Sequence, residues 1–297
     1  MYRQNDSTIM SLYAISPVHA GSGSSMGVVD LPIQRERHTN WPHIQSSGVK
    51  GAMRHHFEKF KSNITDPDQQ KQIDQITEKI FGTEDFEKTG TLPGAIAVSD
   101  AKILAFPIRS SRSPFVWITS PALLRRLEMD LDLTGKSSRS ESTMQIPQLK
   151  EDEAIVISGN MKPNDEILLE DCQVTVSATS FELPAVARSL FRKGERLLLV
   201  SDQIFNYGVS HCTEIRTQIK IDDRSGTTVD GSLRYEEVLP ADTLMYVVMF
   251  YGPTRNSENS IPADMLISFM KNDVIRSHIQ IGGDETLGCG LFQIEWI

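Results

Sequence analysis

The chemistry open to this chain is concentrated near its N-terminal end. Asp30, in Val28-Val29-Asp30-Leu31-Pro32, follows a glycine- and serine-rich run, Gly21-Ser22-Gly23-Ser24-Ser25-Met26-Gly27. A carboxylate there can bind a divalent metal or take a proton from a hydroxyl such as a ribose 2′-OH. On spacing alone, an aspartate that caps a turn is the better reading. The glycine-rich run can cradle phosphate through exposed backbone N–H groups. It lacks the Gly-Lys-Ser/Thr ending of a P-loop, however, and does not lead straight into a helix as a dinucleotide fingerprint does. On its spacing a plain flexible loop is the better reading. His19 can act as acid or base near neutral pH, but a lone histidine near a strand end is more often a packing residue.

Ser46-Ser47-Gly48-Val49-Lys50-Gly51-Ala52-Met53-Arg54 has a firmer logic. A helix that starts at the two serines offers free N–H groups and the positive end of its dipole. Gly48 and Gly51 permit close backbone approach, and Lys50 and Arg54 lie one turn apart on one face. Anion binding through Ser47, Gly48, Lys50, Gly51 and Arg54 outranks an ordinary surface helix. His55 and His56 are adjacent, which is not metal-ligand spacing. Near the C-terminus, Ile281-Gly282-Gly283-Asp284-Glu285-Thr286-Leu287-Gly288-Cys289-Gly290 is a second glycine-rich loop, equally readable as a tight structural turn.

The elements that must position these residues read as a mixture of strands and helices. Residues 8–16 alternate as a strand partly covered on both faces and ending at Pro17. In the helix that begins at Ser46 and Ser47, Val49, Met53, Phe57 and Phe60 recur as a buried stripe. A second helix spans Pro67 to Phe81 and is closed by Gly82. Residues 94–106 and 115–119 read as strands, and 121–129 as a short helix entered through a proline. Residues 134–153 are polar and read as a surface insertion or disordered loop. Short helices follow at 184–191 and 201–207. A long β-hairpin is expected from a strand at 214–221, the turn Asp222-Asp223-Arg224-Ser225-Gly226 and a returning strand at 227–239. Residues 243–251 form an apolar strand, 263–278 an amphipathic helix, and the end reads strand, glycine-rich loop, strand. The irregular order favours an α+β fold over a doubly wound one.

With 297 residues, 39% of them hydrophobic, the chain can bury a substantial core as one elaborated domain. No stretch approaches the ~20 apolar residues of a membrane span, and the N-terminal residues lack a basic region followed by an apolar one, so a cytoplasmic location is expected. Cys172, Cys212 and Cys289 are too few and too far apart for a disulfide framework or a C-x-x-C zinc knuckle. A net charge of −9 excludes a uniformly positive nucleic-acid-coating surface, so any such contact is local. Between residues 30 and 61, six cations (Arg35, Arg37, Lys50, Arg54, Lys59 and Lys61) face three acids (Asp30, Glu36 and Glu58), a basic island.

In order and content these segments resemble the RAMP superfamily of CRISPR-associated RNA-binding proteins, and within it the backbone subunit of type III-B effector complexes. The resemblance is closest from Val18 to Arg54, VHAGSGSSMGVVDLPIQRERHTNWPHIQSSGVKGAMR, and continues in VSDAKILAFPIRS, EIRTQIKID, GSLRYEEVLP and the terminal glycine-rich loop. It implies an RRM-like, ferredoxin-like core in a single domain over residues 1–297, with insertions at about 130–155 and 214–240, the second a β-hairpin thumb. It implies guide RNA, single-stranded target RNA, further copies of the chain in a helical filament and other type III-B subunits as partners. Asp30 falls where the family places its cleavage aspartate, and His19, Lys50 and Arg54 fall near RNA. By position, Tyr235 can stack against a base and Glu236 or Glu237 can assist near the scissile phosphate. The implied activity is metal-dependent endoribonuclease action within the assembly, with a weakly bound Mg²⁺ or Mn²⁺ at Asp30. A purely structural guide-RNA-binding subunit is the rival.

Overall fold

The strands β1 (Ser7–Ala14) and β12 (Leu244–Tyr251) form the centre of the molecule, with side chains buried on both faces. They pair antiparallel, from Ser7 opposite Phe250 to Tyr13 opposite Leu244. Alternation then divides their residues between two cores. Met10, Leu12, Ala14, Met245, Val247 and Met249 enter one, while Ile9, Leu244, Tyr246 and Val248 enter the other. This computed structural model describes residues 3, 4, 6–83, 93–136, 144–191, 195–254 and 260–297.

The remaining strands are β2 (His43–Ile44), β3 (Ile96–Val98), β4 (Ala101–Arg109), β5 (Phe115–Thr119), β6 (Glu153–Ser158), β7 (Glu166–Leu169), β8 (Cys172–Val176), β9 (Leu197–Val200), β10 (Glu214–Gln218), β11 (Arg234–Val238), β13 (His278–Gln280) and β14 (Leu291–Trp296). The main sheet runs β13-β14-β1-β12-β4-β5-β9-β6-β8-β7, with β2 on β4 and β3 on β12, and β10–β11 is a separate two-stranded hairpin. The helices are α1 (Ser46–Ser62), α2 (Pro67–Phe81), α3 (Pro121–Leu133), α4 (Ala185–Leu190), α5 (Asp202–His211) and α6 (Ala263–Phe269). Helix α1 packs Val49, Met53 and Phe57 into the first core, where Phe57 meets Phe81 and Phe269 edge-on. Helix α3 packs Leu124, Leu127 and Leu131 into the second. The result is an α+β molecule with a large, mostly sheet core.

Several expectations shift in detail. Helix α1 does begin at Ser46, but neither serine caps it; Asp100 takes the Ser46 N–H at 2.7 Å. The helix expected over 263–278 ends at Phe269 and passes into a π-helical turn, Met270–Val274. The chain is drawn off the helix there, because Trp296 Nε1 donates to the Ile275 carbonyl. The returning strand of the hairpin is regular only over Arg234–Val238, and residues 219–233 form an irregular tip closed by Asp222 and the Ile221–Thr228 bridge. The strands β6 to β9 were not expected. Residues 137–143 of the polar segment lie outside the described residues, but Met144 beside them is buried in the second core rather than on the surface.

Candidate nucleic-acid interface and cleavage site

The chain between β1 and β2 forms no long strand, yet it is tied down at many points. Its outgoing and returning arms bridge at Gly21 and Ile33, and Leu31 bridges in parallel to Glu236 of β11. Leu31 N–H donates to the Tyr235 carbonyl at 3.0 Å and Glu237 N–H to the Leu31 carbonyl at 3.0 Å. The loop thus lays a short third strand along the base of the hairpin. Asp30 sits at its start: one carboxylate oxygen, Oδ2, accepts the Tyr235 N–H at 2.7 Å. No described residue donates to the other. Tyr235 itself is exposed.

His19 lies at the other arm of the loop. Its Nδ1 is 2.8 Å from the Glu237 carbonyl oxygen and 3.4 Å from Glu236 Oε1. A carbonyl can only accept, so Nδ1 carries a proton. The ring fits because residue 21 is glycine; a methyl group there would lie 2.6 Å from Nε2. The C-terminal glycine-rich loop closes over the same residue, with Gly283 N–H donating to the His19 carbonyl at 2.8 Å.

Glu236 and Glu237 are both buried. Glu237 accepts from Arg35 at 2.5 Å, from Thr213 at 2.9 Å and from the Ile33 N–H at 3.1 Å, so all its capacity is directed inward. Glu236 accepts from Gln218 at 2.6 Å and hydrogen-bonds Asp284 of the C-terminal loop. Burial raises its pKa above the usual glutamate range, the shared proton with Asp284 adds to this, and His19 and Gln218 pull the other way. A folded-state pKa raised above the unfolded one gives stability that is complete below the unfolded pKa and lost as pH rises through the folded one. Glu236→Gln keeps a neutral donor and removes that titration. Its melting temperature should therefore gain on the parent protein by a few degrees as pH is raised through and beyond the glutamate range. Thermal melts of both proteins across pH check this, and a difference independent of pH would rule the shared proton out.

The cationic helix start is a separate patch. Ser47, Gly48 and Gly51 are exposed, and a methyl group on Gly51 would meet nothing, so a chain can lie directly against this turn. Lys50 is half-buried with no acidic partner among the described residues, and burial followed by the neighbouring Arg54 charge depresses its pKa. Arg54 is turned to the Gly82 carbonyl at 2.6 Å. Half of the basic island is neutralised within the protein: Arg35 by Glu237, Lys59 by Glu285 and Lys61 by Asp74. Of the other three, Lys50, half-buried and without an acidic partner among the described residues, has most to gain from a phosphate. Along the hairpin base Asp30 meets Tyr235 while His19 meets Glu236 and the Glu237 carbonyl, and Ser47, Gly48, Lys50, Gly51 and Arg54 form a second patch. Asp284, Glu36 and Arg126 went unrecognised in the sequence; only the glycines around Asp284 hinted at a loop with a purpose.

An open cationic helix start and a loop acid seated on an extruded hairpin are the equipment of a protein that holds a phosphate backbone. The RAMP superfamily model matches residues 11–293, and the chain belongs to that family. The protein named CRISPR system Cmr endoribonuclease Cmr4 from Pyrococcus furiosus is 33% identical over 96% of this chain and 94% of its own length. The crystal structure of oligomeric Cmr4 from the same organism superposes with a TM-score of 0.69 at 26% identity, covering 98% of this chain and 97% of that one. The cryo-EM structure of the Type III-B Cmr-beta bound to cognate target RNA gives a TM-score of 0.72 over 98% of this chain and 96% of that one; at 23% identity it speaks to the fold alone. Among the described residues no helix is long and apolar enough to cross a membrane.

Proposed function

We propose that this chain is a repeated backbone subunit of a type III-B CRISPR effector complex, which binds guide RNA and cuts complementary target RNA at regular intervals. The observation that carries the reading is Asp30, a carboxylate with one oxygen anchored on the hairpin base beside Tyr235 and the other open. In this reading the core around β1, flanked antiparallel by β12 and β14, is RRM-like and ferredoxin-like, and the chain is one domain with insertions near 130–155 and 214–240. The β10–β11 hairpin is the thumb. Its exposed Ile215, Ile219, Leu233 and Tyr235 suit a wedge that displaces a base and distorts the target backbone.

Held in that geometry, a 2′-OH attacks the adjacent phosphorus in line; the O2′–P bond forms as the P–O5′ bond breaks. Asp30 is placed to take the 2′-OH proton, and His19, Tyr235, Glu236 and Glu237 shape the surroundings. The residues present do not make a metal cage: among the described residues no three His, Cys, Asp or Glu side chains gather around a common point. A divalent Mg²⁺ or Mn²⁺ would be held weakly, by Asp30 together with RNA phosphates, and would stabilise the charge that develops at the phosphorus. The setting is the cytoplasm, in a helical filament of copies with other type III-B subunits.

The test is reconstitution with guide RNA. The assembly should yield target products at a fixed spacing, and their absence, with guide and target both bound, would leave the structural subunit as the reading. Lys50→Ala should weaken guide retention about three- to tenfold, independently of base sequence, and lower the salt dependence of binding by roughly one phosphate contact. Unchanged retention across a salt titration would take α1 out of the RNA path.

A further inference from the structure

Asp30 is carried by a loop, and a loop positions an acid only as well as the loop itself is held. Five and six residues beyond it stand Arg35 and Glu36, neighbours of opposite charge whose side chains are claimed by different elements. Arg35 reaches Glu237 of β11 at 2.5 Å and also donates to the carbonyls of Val209, at the end of α5, and Asn40, each at 2.9 Å. Glu36 is gripped by Arg126 of α3 in a two-pronged pair, Nη1 to Oε1 at 2.6 Å and Nη2 to Oε2 at 2.9 Å. Both members are largely removed from solvent, with side-chain exposures of 22% and 16%.

The second grip is reinforced on every side. The Arg126 guanidinium lies over the Trp41 ring, 4.8 Å from its centre. Trp41 is buried, meets Phe205 edge-on and donates its indole N–H to Asn206. Thr39 donates to Glu36 Oε2 at 2.6 Å, closing the turn back onto the same carboxylate. Burial alone would raise the Glu36 pKa, but the hydrogen bonds from Arg126 and Thr39 overcome it and hold the group below the usual range, as a carboxylate. A planar fork of this kind fixes orientation as well as distance, which a lysine cannot do. The loop is therefore clamped between the hairpin base and α3.

We propose that Arg126 is a positioning residue for RNA cleavage, acting through Glu36 on the loop that holds Asp30. The proposal rests on the cleavage reading above. Arg126 touches no reacting atom; it sets where the Asp30 carboxylate stands relative to the phosphate that the hairpin distorts. A shift of about 1 Å at such a group is worth up to about 100-fold in rate.

The experiment uses the complex assembled on guide RNA, with single-turnover cleavage, target affinity and product sites measured together. Arg126→Ala and Arg126→Lys should each slow cleavage about 10- to 100-fold, with target affinity within about twofold and cuts spread onto phosphates beside the normal one. Glu36→Arg should be as slow, and the charge-swapped pair Glu36→Arg with Arg126→Glu should recover at least about tenfold over either single change. Wild-type rates in Arg126→Ala, an equal loss of rate and affinity, or no recovery in the swapped pair would each overturn the proposal. Asp30→Asn run alongside separates the two levels. If it abolishes cutting while Arg126→Ala cuts at the wild-type rate, only the positioning role falls; if it leaves cutting intact, the cleavage reading falls first.

Discussion

Asp30→Asn should cut the rate of regularly spaced target cleavage by at least about 100-fold while target RNA binding stays within about twofold. The substitution is nearly isosteric, and the amide oxygen can still accept the Tyr235 N–H that the carboxylate accepts at 2.7 Å. The hairpin base and the loop therefore keep their contacts. What is lost is the charge and basicity of the open oxygen, needed to take a proton or to share a cation with RNA phosphates. Asp30→Ala removes the anchor as well, so it should lose cleavage equally and also let the 22–30 segment move. Single-turnover assays with electrophoretic measurement of target binding distinguish these effects. Full cleavage by the asparagine variant would sink the enzymatic reading and leave the chain as a structural subunit.

How much of this was legible in the sequence depends on the range of the interaction. The boundaries of α2 came directly from local chemistry: Pro67 at its first turn, Asp66 capping Asp68 N–H, and Gly82 at φ 96° where a side chain would be strained. β1 was legible because a strand-length run with apolar residues on both faces, stopped by Pro17, suits a central strand. β6 to β9 were not, because each is only four to six residues long and their stretch also carries the acids Asp165, Glu166, Glu170 and Asp171. Their identity comes from pairing, such as β5 with β9, whose partners are 80 residues apart, Trp117 with Leu197. The site divides the same way. Asp30 read locally is a turn aspartate, and in part it is one, since its carboxylate does hold a backbone N–H. The N–H belongs to Tyr235, 205 residues away, and no local pattern reports that. The basic island was legible as composition, but its neutralisation by Glu237, Glu285 and Asp74 was not.

That neutralisation leads to the largest expected effect on stability. Glu237→Ala should destabilise the fold by about 3–5 kcal/mol, because it strands a charge rather than merely deleting a contact. The Arg35 guanidinium, with its side chain 17% exposed, would lose the carboxylate 2.5 Å away. The Thr213 hydroxyl and the Ile33 N–H would lose the same acceptor. Two carbonyls would still receive Arg35 Nη1, which keeps the cost within that range. In a chain of this size the loss corresponds to a melting temperature lower by roughly 6–12 °C. Replacing both partners, Arg35→Met with Glu237→Leu, should recover the share owed to the stranded charge but not the share owed to Thr213, the Ile33 N–H and the Val209 and Asn40 carbonyls, which lose their partners. Thermal and urea unfolding of the two variants beside the parent protein decide the matter. If Glu237→Ala costs less than about 1 kcal/mol, the pair is an exposed one in solution, and Glu237 is then free to turn toward the RNA instead of anchoring the loop that presents Asp30.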